Sequence, residues 1–71
     1  MDLKREVGQR LAQMRKEAGY TQQQVADKMQ MVRQSYARYE SGKFELNYQQ
    51  IITLCRLFDC SSDYLLGLSD I

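Results

Sequence analysis

Arginine and glutamine side chains cluster in the stretch "RQSYAR", residues 33–38, without an acid among them. At the roughly 100° per residue of an α-helix, Tyr36 falls on one side together with Val32 and Tyr39. The opposite arc carries Arg33, Gln34, Ala37 and Arg38. An arginine fork can bind guanine O6 and N7, a glutamine amide can bind adenine N6 and N7, and alanine allows close approach. The pattern indicates either a face for the DNA major groove or an ordinary solvated surface.

The remaining reactive residue types form no catalytic or metal-binding constellation. The chain has no histidine, and its two cysteines, Cys55 and Cys60, are five residues apart. We expect one late in a helix and the other just beyond it, a separation that exceeds comfortable disulfide reach, and we expect no zinc site. Both are interpreted as small buried hydrophobes. With no glycine-rich phosphate loop and no clustered carboxylates, neither an enzyme nor a cofactor is expected.

The composition is that of one small domain spanning residues 1–71. No stretch approaches the roughly 20 apolar residues that a membrane span requires, and the N-terminus, "MDLKREVGQR", lacks an apolar signal-peptide core. A cytoplasmic location is therefore expected. Net charge is only +1, yet residues 4–43 carry nine Lys or Arg against four acids, and residues 44–71 carry one base against four acids. Such segregation indicates contact with nucleic acid on one side.

Helix-start signals recur along the chain. One order of residues occurs four times: an apolar residue, a candidate cap, three further residues and a second apolar residue. This is the spacing of the hydrophobic staple. The candidate caps are Thr21, Val32, Asn47 and Ser61. Gln24 and Gln50 add a capping-box partner at two of them, and Gly19, Gly42 and Gly67 fall at helix ends. The predicted helices span residues 3–18, 22–29, 33–40, 48–58 and 62–66.

Five short helices predict an all-α fold, a compact five-helix bundle. The predicted core comprises Val7, Leu11, Met14, Val25, Met29, Tyr36, Ile51, Leu54, Cys55, Phe58 and Leu65. Glu40 falls on the inward edge of the third helix, where an unpaired carboxylate is costly, and Arg15 lies one turn after Leu11. We expect a structural ion pair between Arg15 and Glu40; the alternative is two exposed charges that never meet.

The chain is similar to the helix-turn-helix domain of the Cro and phage-repressor family, also called the XRE family. The similarity lies in two stretches, "RLAQMRKEAGYTQQQVADKMQMVRQSYARYESGK" and "IITLCRLFDCSSDYLLG". The resemblance covers about residues 7–68. It rests on Thr21 and Gln22 opening the second helix, Ala26 within it, the cluster "ESGK" that begins at Glu40, and "DYLLG" near the end. It implies that the second and third helices form the helix-turn-helix and that the third enters the major groove.

The resemblance also implies roles for individual side chains. Base reading would fall to Arg33, Gln34, Ala37 and Arg38. Phosphate binding would fall to Gln22, Ser41 and Lys43. The family pairs an arginine of the first helix with the glutamate that ends the third, in agreement with the expected pair. Three positions depart from the family pattern: Gln30 replaces a glycine, Val32 a Ser or Thr cap, and Leu46 a frequent proline. The first two substitutions cost roughly 1 kcal/mol each.

These features together predict a sequence-specific double-stranded DNA-binding transcriptional regulator. Three bidentate base contacts discriminate by at most about 9 kcal/mol, and genomic competition makes one half-site insufficient. A homodimer on a partly palindromic operator is therefore expected, with half-sites about one helical turn apart. The expected dimer interface comprises Ile52, Leu57, Leu66, Leu68 and Ile71. Alternatively, these side chains complete the core.

Repression by covering promoter DNA is the expected mode, and activation by contact with polymerase stays open. The alternative function is a protein-interaction module, of the antitoxin or anti-repressor type, built on the same fold. That alternative gives no reason for the acid-free arginine face.

Overall fold

The computed structural model describes residues 2–68, which form five α-helices with short connections. The helices are α1 (Leu3–Glu17), α2 (Gln22–Lys28), α3 (Arg33–Glu40), α4 (Tyr48–Phe58) and α5 (Ser62–Leu66). This part of the chain contains no strand, and the predicted all-α, five-helix fold is confirmed. Within the same residues, every helix is too short or too polar to cross a bilayer.

Local side-chain caps fix where α2 and α4 begin. Thr21 Oγ1 accepts from the backbone N–H of Gln24, whose side chain accepts in return from the backbone N–H of Thr21. Asn47 and Gln50 form the same reciprocal capping box at α4. Val32 makes no side-chain cap bond at α3. The start of α3 therefore depends on packing more than the other starts do.

Helices α1 and α2 end one residue earlier than predicted, with Ala18 and Met29 acting as caps. In each case the following residue is left-handed: φ is +81° at Gly19 and +58° at Gln30. A left-handed residue turns the backbone out of the helical path, so the preceding residue cannot continue the helix. Gln30 thus holds, without the usual glycine, a conformation that costs roughly 1 kcal/mol.

Helix α1 supplies three of the buried apolar side chains, and each other helix contributes at least one. These side chains are Val7, Leu11, Met14, Val25, Ala26, Tyr36, Leu54 and Leu65. Four predicted core residues are only partly buried against them: Met29, Ile51, Cys55 and Phe58. In so small a domain few positions are surrounded on all sides, so these side chains keep one edge in solvent. Ala26 is fully buried, although its small side chain gave no core signal.

The two cysteines lie closer together than their spacing suggests. Asp59, directly after α4, is left-handed with φ +53°, and the chain turns back so that the Cys60 N–H donates to the Cys55 carbonyl at 3.0 Å. The Cys60 thiol is a close neighbour of the Cys55 thiol. The expectation that this separation exceeds comfortable disulfide reach did not include this turn, which brings the two residues closer together. Both thiols are free and half-buried.

Helix α1 approaches α3 most tightly at Gly8, which is buried. A Cβ at this position would lie 2.5 Å from the carbonyl oxygens of both Tyr39 and Glu40. Backbone oxygens cannot rotate away as a flexible side chain can. The absence of a side chain at Gly8 is therefore what lets the two helix backbones meet.

Gly8→Ala is expected to destabilise the domain by about 2 kcal/mol, because overpacking outweighs the roughly 1 kcal/mol that alanine normally gains over glycine in a helix. Gln9→Ala is the matched control, since Gln9 is the next residue and is exposed; its effect should stay within about 0.5 kcal/mol. Urea denaturation of both variants measures the difference. A Gly8→Ala protein as stable as the parent would show that α1 and α3 do not meet this closely.

Candidate nucleic-acid interface

Helix α3 separates its side chains into a buried face and an exposed face. Tyr36 is fully buried, and Tyr39 is half-buried beside it on the inner side. The outer side carries Arg33, Gln34 and Arg38, which are exposed, and Ala37, which is half-buried. The structure thus brings the four residues of the predicted base-reading set to the accessible side of one helix.

A bidentate ion pair joins α3 to α1. Arg15 Nε donates to Glu40 Oε2 at 2.7 Å, and Arg15 Nη2 donates to Glu40 Oε1 at 3.2 Å. The third guanidinium nitrogen, Nη1, donates to the carbonyl of Tyr20 at 3.0 Å. The arginine therefore ties α1 both to the end of α3 and to the connection before α2. The structure brings together the two charges that the sequence pairs.

Gln22 bridges this ion pair to the exposed face. Its amide nitrogen donates to Glu40 Oε1 at 3.0 Å, and its amide oxygen accepts from Arg33 Nη1 at 3.2 Å. A continuous chain of hydrogen bonds therefore runs from Arg15 through Glu40 and Gln22 to Arg33. The sequence did not reveal this bridge, although Gln22 and Arg33 occupy the first positions of α2 and α3.

The three predicted phosphate ligands differ in the donors that they can offer. Lys43 is exposed. Gln22 gives one amide hydrogen to Glu40 and carries a second, since a carboxamide nitrogen has two. Ser41 donates its hydroxyl hydrogen to the Arg38 carbonyl at 3.2 Å. Because phosphate only accepts hydrogen bonds, the Ser41 hydroxyl must leave this carbonyl before it can bind one.

Arg38 rests on the segment that follows α3. Its guanidinium lies 5.5 Å from the centroid of the Phe44 ring, a cation–π geometry, and Phe44 is in edge-to-face contact with Tyr39. The Arg38 carbonyl accepts from the N–H groups of Lys43 and Phe44 at 2.9 and 3.1 Å. The Phe44 ring thus supports Arg38 at the C-terminal end of the exposed face, whereas the Gln22 amide holds Arg33 at the N-terminal end.

The partners of Glu40 lower the pKa of its carboxyl. Burial is the largest influence and acts in the opposite direction, because it disfavours the charged form. Hydrogen bonds from Arg15 and Gln22, with the neighbouring Tyr36 phenol, outweigh burial and bring this pKa below its ordinary value of 4.5. The pKa of Arg15 is raised, chiefly by the hydrogen bond to Glu40. Both groups are thus held in their charged forms.

The residues of the expected dimer interface fall into two groups. Ile52 and Leu68 are exposed, at 45% and 75% of their full area. Leu57 and Leu66 are partly buried and pack against the core, as the alternative interpretation of these side chains predicts. Ile71 lies outside the described residues. Of the four interface residues that the structure describes, only Ile52 and Leu68 are therefore exposed.

The sequence matches the helix-turn-helix domain family over residues 8–71. The chain belongs to this family. The resemblance inferred from the residues is therefore confirmed. Several curated proteins of Bacillus subtilis (strain 168) are similar to the chain, and the names that they carry are those of HTH-type transcriptional regulators.

Three of these relatives show how far the similarity extends. The uncharacterized regulator YobD is 40% identical over 62 residues, which are 87% of this chain and 55% of YobD. The SPbeta prophage-derived regulator YonR is 39% identical over 59 residues, 83% of this chain and 55% of YonR. The regulator ImmR is 32% identical over 65 residues, 92% of this chain and 51% of ImmR. The chain spans about half the length of these relatives.

Glu40→Gln is expected to cost about 3 kcal/mol near pH 7, because Arg15 keeps its charge and loses its counter-ion. Because the pKa of Glu40 is lower in the folded state, its charged form contributes to the free energy of unfolding. This contribution is complete above the unfolded-state pKa of about 4.5 and is lost as the pH falls through the folded-state pKa. The stability gap between parent and variant should therefore shrink below about pH 4.5. Thermal unfolding followed by circular dichroism across this range measures the gap.

Glu45→Gln is the control for this experiment, since Glu45 is exposed and its replacement should change stability by no more than about 0.5 kcal/mol. A Glu40→Gln protein that keeps the parent's stability at neutral pH, or a gap that stays constant on acidification, would contradict the role given to the pair.

Proposed function

We propose that this chain is a sequence-specific double-stranded DNA-binding transcriptional regulator whose helix α3 enters the major groove. The observation that carries the proposal is the exposed face of α3, where Arg33, Gln34 and Arg38 are accessible above the fully buried Tyr36. An α-helix with its side chains, about 10–12 Å across, fits the roughly 12 Å width of the groove. The names of the relatives support the same function.

Individual side chains have separate roles in this proposal. Base edges are contacted by Arg33, Gln34, Ala37 and Arg38. Phosphates are contacted by Gln22, Ser41 and Lys43. Recognition helices read bases mainly through their N-terminal residues, so Arg33 and Gln34 in the first turn contribute most to sequence preference. Arg38, held over Phe44 at the other end, contributes less.

The regulator acts as a homodimer on a partly palindromic operator in this proposal. One half-site offers too little discrimination against a genome, whereas two offer twice the contacts. The exposed Ile52 and Leu68 support an apolar contact on the α4 and α5 side. Repression is the simplest mode, because occupying promoter DNA needs no further protein surface. A regulator of this kind works in the cytoplasm, and it is not an enzyme.

In vitro selection from a pool of random-sequence duplexes tests the function directly. We expect enrichment of a motif with two related halves whose centres lie about 10 base pairs apart, because each protomer of a two-fold dimer places one α3 in the groove. Enrichment of a single half alone would retain DNA reading and remove the dimer. A pool without any enrichment would favour the protein-interaction module instead.

Substitutions separate base reading from phosphate binding. Arg33→Ala should relax the preference at one base position at a cost of about 1–3 kcal/mol for the preferred sequence. Lys43→Ala should weaken binding to all sequences alike and reduce the slope of log affinity against log salt by about 1. Fluorescence anisotropy on the selected duplex and on single-base variants, at several salt concentrations, measures both effects.

Arg56→Ala is the charge-matched control, since Arg56 is exposed on α4, outside the helix-turn-helix. It should change neither the base preference nor the salt slope. If Lys43→Ala altered base preference while Arg33→Ala left it unchanged, the assignment of α3 as the reading helix would be wrong.

A further inference from the structure

The turn at the end of α4 brings two thiols close together. The N–H groups of Asp59 and Cys60 both donate to the Cys55 carbonyl, and Asp59 takes the left-handed conformation between them. In this type of helix ending, the side chains of the residues that flank the turn pack together. Here those two residues are Cys55 and Cys60, and their thiols are close neighbours. No movement of a helix is needed to bring the two sulfurs together.

The two thiols are both half-buried, but only Cys60 lines the neighbouring cavity. Cys60 lines a cavity of about 540 Å³ between the end of α1 and the turn that joins α4 to α5, whereas Cys55 is not among its lining residues. A small solute in this cavity therefore meets Cys60 first. Cys55 lies on α4, outside this lining, and both cysteines pack against the core.

The protonation of Cys55 supports the same order. Burial, followed by the neighbouring Cys60, raises the pKa of the Cys55 thiol to about 11. Near neutral pH Cys55 is a protonated thiol, and the thiolate is the form that attacks an oxidant. Cys55 is thus suited to the second step of an oxidation, in which it needs only to reach a sulfur that is already close.

We propose that Cys55 and Cys60 form an oxidative modification site that hydrogen peroxide converts to an intrachain disulfide. The Cys60 sulfur attacks one peroxide oxygen, the O–O bond breaks, one water leaves, and Cys60 becomes a sulfenic acid. The Cys55 sulfur then attacks the Cys60 sulfur, the S–O bond breaks, and a second water leaves. Two thiols lose two electrons, one peroxide is reduced to two waters, and the thiol hydrogens leave in those waters.

The charge of the cavity selects a neutral oxidant. Glu17 and Asp59 line it, and the described lining residues include no Lys or Arg. An anionic oxidant such as glutathione disulfide is repelled by two carboxylates, whereas uncharged hydrogen peroxide is not. The inference concerns the side of the domain formed by α1, α4 and α5, and it is independent of whether α3 binds DNA.

The first experiment treats the reduced full chain with hydrogen peroxide, quenches it, alkylates the remaining thiols under denaturing conditions and measures the intact mass. We expect a monomer lighter by two hydrogens that takes no alkyl group, with its two cysteines joined in a peptide digest. Oxidation in strong denaturant should give this product far more slowly, because the fold holds the thiols together. Two thiols that stay fully alkylated in the folded protein, or a disulfide that forms only between chains, would overturn the proposal.

The second experiment tests the order of the two sulfurs with single variants and a dimedone-type sulfenic acid probe. Cys55→Ser should accumulate labelled Cys60, because no second thiol resolves the sulfenic acid. Cys60→Ser should label at least about tenfold more slowly, because Cys55 does not line the cavity and its thiol is protonated near neutral pH. Equal labelling of the two variants, or faster labelling of Cys60→Ser, would overturn the assigned order.

A thermal measurement completes the test. Closing a ring across the turn should raise the Tm of the oxidised chain by about 5 °C or more. The double variant Cys55→Ser, Cys60→Ser, treated in the same way, reports any effect of methionine oxidation, which adds oxygen to the mass. A disulfide that lowers the Tm relative to this control would show that the turn is not already in the geometry the cross-link needs, and would overturn the proposal.

Discussion

The ion pair between Arg15 and Glu40 sets the geometry on which the exposed face of α3 depends. The two side chains are only 11% and 6% exposed, so much of the Coulomb attraction is offset by the loss of hydration. The main effect of the pair is to fix the relative orientation of the two side chains. Two parallel N–H···O contacts define both the distance and the angle between guanidinium and carboxylate. Gln22 extends this constraint to Arg33, so an exposed side chain is held by hydrogen bonds that begin in the interior.

Helix α3 needs such support because it is weak by itself. It has eight residues and no side-chain cap, and an isolated helix of that length is unstable in water. The contacts that hold it are all on its inner side: the buried Tyr36, the close approach of Gly8, and the carboxylate at its end. The outer residues make only peripheral contacts, Arg33 with Gln22 and Arg38 with Phe44, so arginine can occupy these positions without disturbing the core.

The sequence predicts those features that depend on neighbouring residues. The starts of α2, α3, α4 and α5 agree with the prediction, because caps and staples act within one helical turn. Apart from the Arg15–Glu40 pair, features that depend on how helices meet were missed. Nothing near Gly8 in sequence reports the carbonyls of α3, and nothing near Gln22 reports that Arg33 lies beside it. The closeness of the two thiols was missed for a local reason, because an aspartate rather than a glycine takes the left-handed position.

Helix α1 lies between the two regions for which functions are proposed, the exposed face of α3 and the cysteine pair. It contacts α3 on one side and α5 on the other. Met14 lines the cavity beside Cys60, and the next residue, Arg15, holds Glu40. Only one pair of adjacent residues on α1 thus separates the turn after α4 from the carboxylate at the end of α3. Met14 is a flexible side chain that fills gaps without transmitting direction, whereas the bidentate pair is rigid. A rearrangement at the cysteines is therefore expected to move Met14 rather than α3, so oxidation should stiffen the α4–α5 side while leaving Arg33 in place.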